Sequence, residues 1–266
     1  MTPVEVRQGD GPVVLGLPHT GTWLPEEVLA RLNERGRELA DTDWHVERLY
    51  DGLLPAATTV RATFHRYVVD ANRGPDDASL YPGQNTTGLV PLTDFDGGPI
   101  WSDPPDAAEI AERVARFHAP YHAALAVEIE RVRARHGVAI LYDCHSIRSH
   151  IPFLFEGTLP DFNVGTNDGT TCAPEVERIV MHIVRGVPGR TWVLNGRFKG
   201  GWTTRHYGDP AGGVHAVQME LAQSAYLKSE APPWDYDPER ADRLREALAD
   251  ILATLAQAAD DLKAMQ

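Results

Sequence analysis

The sequence predicts an α/β fold, a three-layer sandwich in which a mixed, mainly parallel sheet carries helices on both faces. Three observations point there. Two apolar runs, residues 13–17 (VVLGL) and 138–142 (VAILY), suit buried strands and are short for helices. Each ends abruptly in polar, chemically capable residues: Pro18-His19-Thr20-Gly21 after the first, and Asp143-Cys144-His145-Ser146-Ile147-Arg148-Ser149-His150 after the second. Strand-like and helix-like stretches alternate along the chain, the pattern of parallel strands joined by crossover helices. In such sheets ligands sit in the crevice beyond the carboxyl ends of the strands.

The elements follow in order. Residues 25–37 read as a short helix with Leu24, Val28, Leu29 and Leu32 on one side, and residues 43–54 as another after the turn-like Asp41-Thr42. Residues 60–69 alternate and are rich in β-branched side chains, which suggests one or two strands ending at Asp70-Ala71-Asn72-Arg73-Gly74-Pro75. Residues 76–102 are rich in Gly, Pro, Asn and Asp. Loops this long are uncommon in compact domains and often functional, so a lid or substrate wall is expected here.

Asp103-Pro104 resembles a helix cap followed by a first-turn proline, and Ile110, Val114, Phe117, Tyr121, Leu125, Ile129 and Val132 recur at helical spacing. A long amphipathic helix, kinked at Pro120, is expected to lead through His136-Gly137 into the strand at 138. A helix at 174–186, a strand at 191–194, a glycine-rich active-site loop at 195–213 and a strand at 215–221 follow. Asp237-Pro238 caps a last helix carrying Leu244, Leu248, Ile251, Leu255 and Leu262. No repeat or linker interrupts the pattern, so residues 1–266 are expected to form one domain.

Composition narrows the function. The chain has 38 Asp and Glu against 25 Lys and Arg, a formal charge of −13, which argues against a nucleic-acid or anionic-membrane partner. A small anionic substrate stays compatible, because a few arginines can dominate a pocket. The first residues lack the pattern of a signal peptide and no run is long enough to span a membrane, so a cytoplasmic protein is expected. Two cysteines, Cys144 and Cys172, fit a reducing compartment. Oligomeric state is not legible.

His19, His145 and either Asp41 or Asp43 offer two imidazoles and a carboxylate, the donor set of hydrolytic zinc sites that leave one position open. Spacing alone is weak support among eleven histidines, since a histidine at a strand end is more often a hydrogen-bonded structural residue. Asp-Thr-Asp-Trp also reads as a helix cap. Glu220 lies among apolar neighbours in Val217-Gln218-Met219-Glu220-Leu221; burial would raise its pKa and suit it to acid/base work, whereas a salt-bridged edge glutamate is the plainer reading. Asn72 and Arg73 at a strand end could clamp a carboxylate, and Arg148, Lys199, Arg205 and His206 add positive groups on nearby loops. Cys144 beside His145 cannot act as its thiol partner, because neighbours on an extended segment point to opposite faces.

Taken together, Pro18-His19-Thr20-Gly21, Asp41-Thr42-Asp43-Trp44-His45, Asp70-Ala71-Asn72-Arg73, residues 143–152, Asn195-Gly196-Arg197-Phe198-Lys199-Gly200-Gly201 and Thr204-Arg205-His206-Tyr207-Gly208 resemble the N-formylglutamate deformylases (N-formylglutamate amidohydrolases) of bacterial histidine degradation. The likeness runs in order from about residue 13 to about residue 228. It implies hydrolysis of N-formyl-L-glutamate to L-glutamate and formate with one divalent metal ion, zinc being expected. That family is distantly similar to zinc carboxypeptidases, which implies a related sheet. By that likeness His19, Asp43 and His145 are the metal ligands, with Asp41 as the rival to Asp43. It also implies Glu220 as general base and Asn72-Arg73 as a carboxylate clamp; Arg148, Lys199 or Arg205 is expected to hold the second carboxylate, one of these cations or His206 to stabilise the oxyanion, and Tyr207 to contact substrate. Two other readings are an amidohydrolase for another N-acyl amino acid and a non-enzymatic metal- or metabolite-binding protein.

Overall fold

The computed structural model describes residues 2–264. Among these residues seven strands, β1 (Val4–Arg7), β2 (Val13–Leu17), β3 (Thr58–Ala62), β4 (Ala139–Ile147), β5 (Phe162–Gly165), β6 (Trp192–Leu194) and β7 (Val214–Ala222), form one sheet in the order β1-β3-β2-β4-β7-β5-β6. Strands β3, β2, β4 and β7 run parallel, β1 joins β3 antiparallel, and β5 joins β7 antiparallel with β6 parallel to it. The architecture is thus a mixed, mainly parallel sheet with helices on both faces.

Nine α-helices among the described residues complete it: α1 (Glu26–Leu29), α2 (Glu34–Arg37), α3 (Val46–Tyr50), α4 (Ala107–Arg113), α5 (Ala119–His136), α6 (Pro174–Gly186), α7 (Trp202–Tyr207), α8 (Pro238–Gln257) and α9 (Ala259–Ala264). Tyr121, Leu125, Ile129 and Val132 of α5 pack on Val14, Val60, Ala139, Leu141 and Ala216. On the opposite face α3, α6 and α8 cover Val13, Leu15, Ile140, Tyr142, Val217, Met219 and Leu221. Each large side chain of this kind contributes roughly 1.5–3 kcal/mol on burial, so alternation along β2, β4 and β7 is what holds the layers together. Among the described residues, no helix is long and apolar enough to cross a membrane.

Several elements differ from expectation for identifiable reasons. The helix read at 25–37 is two single turns, because the Asn33 side chain accepts a hydrogen bond from the Gly36 amide and starts a new helix there. The stretch at 60–69 is strand only to Ala62; Trp23 bridges Phe64, and the Val68 amide then bonds to the His65 carbonyl in a turn. The long helix starts at Ala107, where Asp106 and Glu109 form a reciprocal capping box. Before Pro120 the chain widens into a π-helical turn, Val114–His118, which accommodates the missing proline N–H. The loop expected at 195–213 contains α7. Strands β1 and β5 are four residues each, too short to declare themselves by alternation.

The difference that matters most lies in β4. The strand does not stop at Tyr142 but runs to Ile147, paired with β7 throughout, including Asp143 with Gln218 and His145 with Glu220. Ala139 and Leu141 lie under α5, and alternation carries Asp143 and His145 onto that same face, where α5 gives way to loops 65–101 and α7.

Candidate active site

His19 follows β2 directly, and its carbonyl accepts the Asp43 amide at 3.1 Å, tying the turn before α3 to the end of that strand. His145 projects from β4. His19 Nδ1 lies 3.2 Å from His145 Nδ1, Asp43 Oδ2 lies 3.2 Å from His145 Nδ1, and all three residues are buried. One donor atom from each lies within 4.8 Å of the others, so the structure brings His19, Asp43 and His145 together. Asp41 turns away: its Oδ2 accepts Tyr67 OH at 2.8 Å and the Phe95 amide at 3.0 Å, and burial pushes its pKa up to about 7.

Each remaining imidazole nitrogen faces an acid, in hydrogen-bond geometry for His19 and as a close contact for His145. His19 Nε2 lies 2.6 Å from Asp70 Oδ1, and His145 Nε2 lies 3.1 Å from Asp143 Oδ1. A carboxylate only accepts, so His19 carries its proton on Nε2 and offers Nδ1 as a lone pair. Burial, reinforced by Arg66, lowers the His19 pKa to about 4, keeping it neutral. Burial also opposes charge on His145, but Asp143 and Asp43 outweigh it and raise its pKa well above the ordinary value. Asp43 is buried as well, and His145, His19 and Arg66 still hold its carboxyl below the usual range. The Ser146 amide adds a hydrogen bond to Asp43 Oδ2 at 3.1 Å.

Arg66 is 6% exposed and contacts His19 Nδ1 and Asp43 Oδ1 through Nη2. Buried Asp43 and Asp70 act on Arg66 and buried Asp143 faces His145, and Asp70 Oδ2 has no hydrogen-bond partner among the described residues. Two imidazoles and a carboxylate within 4.8 Å of one another, with a further acid beside each imidazole, fit a divalent cation such as zinc.

Glu220 faces the same cavity from β7. Gln218 Nε2 donates to its Oε2 at 3.1 Å, while Gln218 Oε1 accepts the Gly201 amide at 2.6 Å. Burial pushes the Glu220 pKa up to about 8, against the pull of His145 and Arg66. Arg73 reaches the cavity with Nε on the Thr87 carbonyl at 2.9 Å and Asp70 Oδ2 no nearer than 4.0 Å. Arg197 reaches it too, held by the carbonyls of Leu154 and Asn85 and flanked by the rings of Tyr81 and Phe198. Burial lowers its pKa, and nearby Arg73 lowers it further. Two guanidiniums side by side on carbonyl and hydroxyl acceptors form a site for anions.

Asn72 also borders the cavity, but its side chain is occupied: Oδ1 accepts the Thr203 amide at 2.9 Å and Nδ2 lies 3.2 Å from His145 Nε2. The other expected residues do not line it. Arg148 bonds Asp96 at 3.0 Å, and Lys199 bonds Asp168 at the surface. The winding of α7 turns three more away: Arg205 caps the Gly200 carbonyl, His206 stacks on Trp202, and Tyr207 OH meets His122. Sequence reasoning passed over Arg66 because its segment read as strand, and over Arg197 although it lies inside a motif already singled out. Cys144 is fully buried on the opposite face, and burial raises its thiol pKa well above the ordinary value.

The chain matches the family model described as N-formylglutamate amidohydrolase over residues 11–227. It is 46% identical over 255 residues to the N-formylglutamate deformylase of Pseudomonas aeruginosa, covering 95% of each chain. The Pseudomonas putida N-formylglutamate deformylase is 44% identical with the same coverage. Among solved structures, an N-formylglutamate amidohydrolase from Ralstonia eutropha JMP134 aligns with a TM-score of 0.81 at 26% identity, over 97% of this chain and 99% of that one. A protein from Agrobacterium tumefaciens shares the fold, with a TM-score of 0.70 at 19% identity over 96% of both chains.

If Asp70 orients His19 toward a metal, Asp70→Asn will weaken divalent-metal affinity roughly ten- to hundredfold while the fold persists. Competition with a chromogenic chelator reads this directly; unchanged affinity would remove Asp70 from that role.

Proposed function

Because the chain belongs to the N-formylglutamate amidohydrolase family, we propose that it hydrolyses N-formyl-L-glutamate to L-glutamate and formate, as a metal-dependent cytoplasmic enzyme of histidine degradation. The observation that carries this reading is a single cavity holding Arg73, Arg197 and Glu220 beside the His19-Asp43-His145 cluster. Formylation removes the ammonium charge of glutamate and leaves two carboxylates, so a site for this substrate needs cations and no acid dedicated to an amine. Arg73 and Arg197 supply those cations, in place of the Arg148, Lys199 or Arg205 expected from sequence.

His19, Asp43 and His145 would hold the metal. Bound there, a divalent ion supplies Lewis-acid polarisation of the formyl carbonyl and a lowered pKa for water. Glu220 takes the proton of the attacking water and delivers it to the amide nitrogen as the C–N bond breaks. Its pKa of about 8 places it near neutrality, where one carboxyl can both accept and return a proton. Gln218, itself fixed by the Gly201 amide, sets the direction of that carboxyl. The buried Arg66 guanidinium stands beside His19 and Asp43, placed to stabilise negative charge developing on the carbonyl oxygen. Phe95, Ile147, Leu154 and Phe198 form the apolar part of the wall and limit the water that competes for these groups.

Formate release from N-formyl-L-glutamate should vanish when the purified protein is chelated and return when zinc is restored; no release from a metal-replete sample would overturn the proposal. Glu220→Gln should lower kcat by roughly 10²–10⁴ without changing metal content. Concurrent metal loss would instead make Glu220 a ligand. Arg197→Ala should raise KM for N-formylglutamate roughly ten- to hundredfold, the loss of one charged hydrogen-bonding partner, and erase the preference over N-formyl monocarboxylates. A KM equal to that of the unaltered enzyme would leave the second carboxylate unassigned.

A further inference from the structure

Strand β1 is the outer edge of the sheet, and its free side is a row of backbone groups unpaired among the described residues. The Thr63 amide bonds to the Pro3 carbonyl at 3.1 Å, which places the odd-numbered residues of β1 against β3 and turns the N–H and C=O groups of Val4 and Val6 outward. Short length, charged side chains and a proline restrict what can pair with an open edge, and β1 has all three in its four residues, Glu5, Arg7 and the preceding Pro3, so a partner strand must match its charges. Here the edge carries Val6, 41% exposed, and on that same face α5 presents Ala123, Ala124 and Val127, the last 63% exposed. The opposite face carries Glu5 and Arg7.

We propose that β1 is a dimerisation edge, on which two copies of this chain pair their β1 strands antiparallel about a two-fold axis at Val6 and continue the sheet from one copy into the other. The charges select this register. With Val6 opposite Val6, each Glu5 faces Arg7 of the second copy. Sliding one strand by two residues, the smallest shift that keeps the outward groups paired, sets Glu5 against Glu5 or Arg7 against Arg7, and like charges directly opposite are destabilising. Within each copy Glu5 already bonds Arg61 at 2.7 Å and Arg7 bonds Asp51 at 3.4 Å. The pairing therefore builds an alternating row, Arg61-Glu5-Arg7-Asp51, twice over by symmetry. On the other face the small side chains Ala123 and Ala124 let two α5 helices approach, and Val127 and Val6 leave water. Such an interface is isologous and closes at two copies. The cavity at the ends of β2, β4 and β7 is untouched, so activity does not depend on it.

Sedimentation velocity of the full chain over a micromolar concentration series tests this. The unaltered protein should dimerise, and Glu5→Arg or Arg7→Glu should each weaken association roughly ten- to hundredfold. Mixing the two variants should restore dimers, because the wholly basic edge of one variant then faces the wholly acidic edge of the other. Val127→Asp, at an exposed helix position, should weaken association without touching the strand. Formate release and thermal unfolding serve as folding controls. A monomer at every concentration would overturn the proposal, as would a dimer indifferent to these substitutions or single variants that fail to associate on mixing.

Discussion

Three carboxylates buried beside two histidines and one guanidinium are the constraint around which this molecule is arranged. In a low-dielectric interior, polar side chains such as Asp43, Asp70 and Asp143 each need polar or charged partners close by. Asp70 is met by His19 and the Asn72 amide, Asp143 by His145 and Thr204, and Asp43 by His145, Arg66 and the Ser146 amide. These partners come from β2, β4, α7 and the loops between, so distant parts of the chain are pinned to one point. His145 is shared between Asp43 and Asp143, and Arg66 between Asp43 and Asp70, so the acids back one another up around the cluster.

The same logic explains how a loop delivers Arg73. The Ala71 carbonyl meets His122 Nε2 at 2.7 Å and the Arg73 carbonyl meets His118 Nε2 at 2.8 Å. Those histidines stand at the junction of the π-helical turn and α5, so a widened turn beside Pro120 serves the placement of Ala71, Asn72 and Arg73. Burial lowers the pKa of both imidazoles, to about 3 for His122, which keeps them neutral donors to backbone carbonyls. The Asn72 side chain then bridges that loop to α7 through Thr203.

Much of this was legible in residues 13–21 and 138–150, because an apolar strand ending in His or Asp can satisfy both burial and chemistry only at the rim of a sheet. His19, His145 and Glu220 were readable for that reason. What stayed hidden depends on tertiary geometry. Asp41 and Asp43 differ by two residues in a turn, and only the hydrogen bonds of Tyr67 and the Phe95 amide to Asp41 separate their surroundings. Arg197 and Lys199 are two cations in one glycine-rich motif, distinguished by acceptors from elsewhere: carbonyls of Leu154 and Asn85 for one, the surface acid Asp168 for the other. Arg205, His206 and Tyr207 looked like loop residues until α7 wound them onto other partners.

The distance between His145 and Glu220 is set by the sheet rather than by any loop. The two residues are direct partners in the ladder between β4 and β7, which runs unbroken from Ala139 with Val214 to Ile147 with Ala222. Neighbouring parallel strands are held roughly 4.8 Å apart, so an imidazole and a carboxyl placed on facing rungs keep their separation whatever the surrounding loops do. Register is guarded by the core. A slip of β4 by one residue would turn Asp143 and His145 into the apolar layer of α6 and α8 and bring Cys144 into the cavity. The buried Ile140, Tyr142 and Cys144 on one face, with Ala139 and Leu141 on the other, oppose that slip with several kcal/mol of hydrophobic burial, roughly 1.5–3 kcal/mol for each large side chain. Packing far from the cavity thereby fixes the chemistry within it.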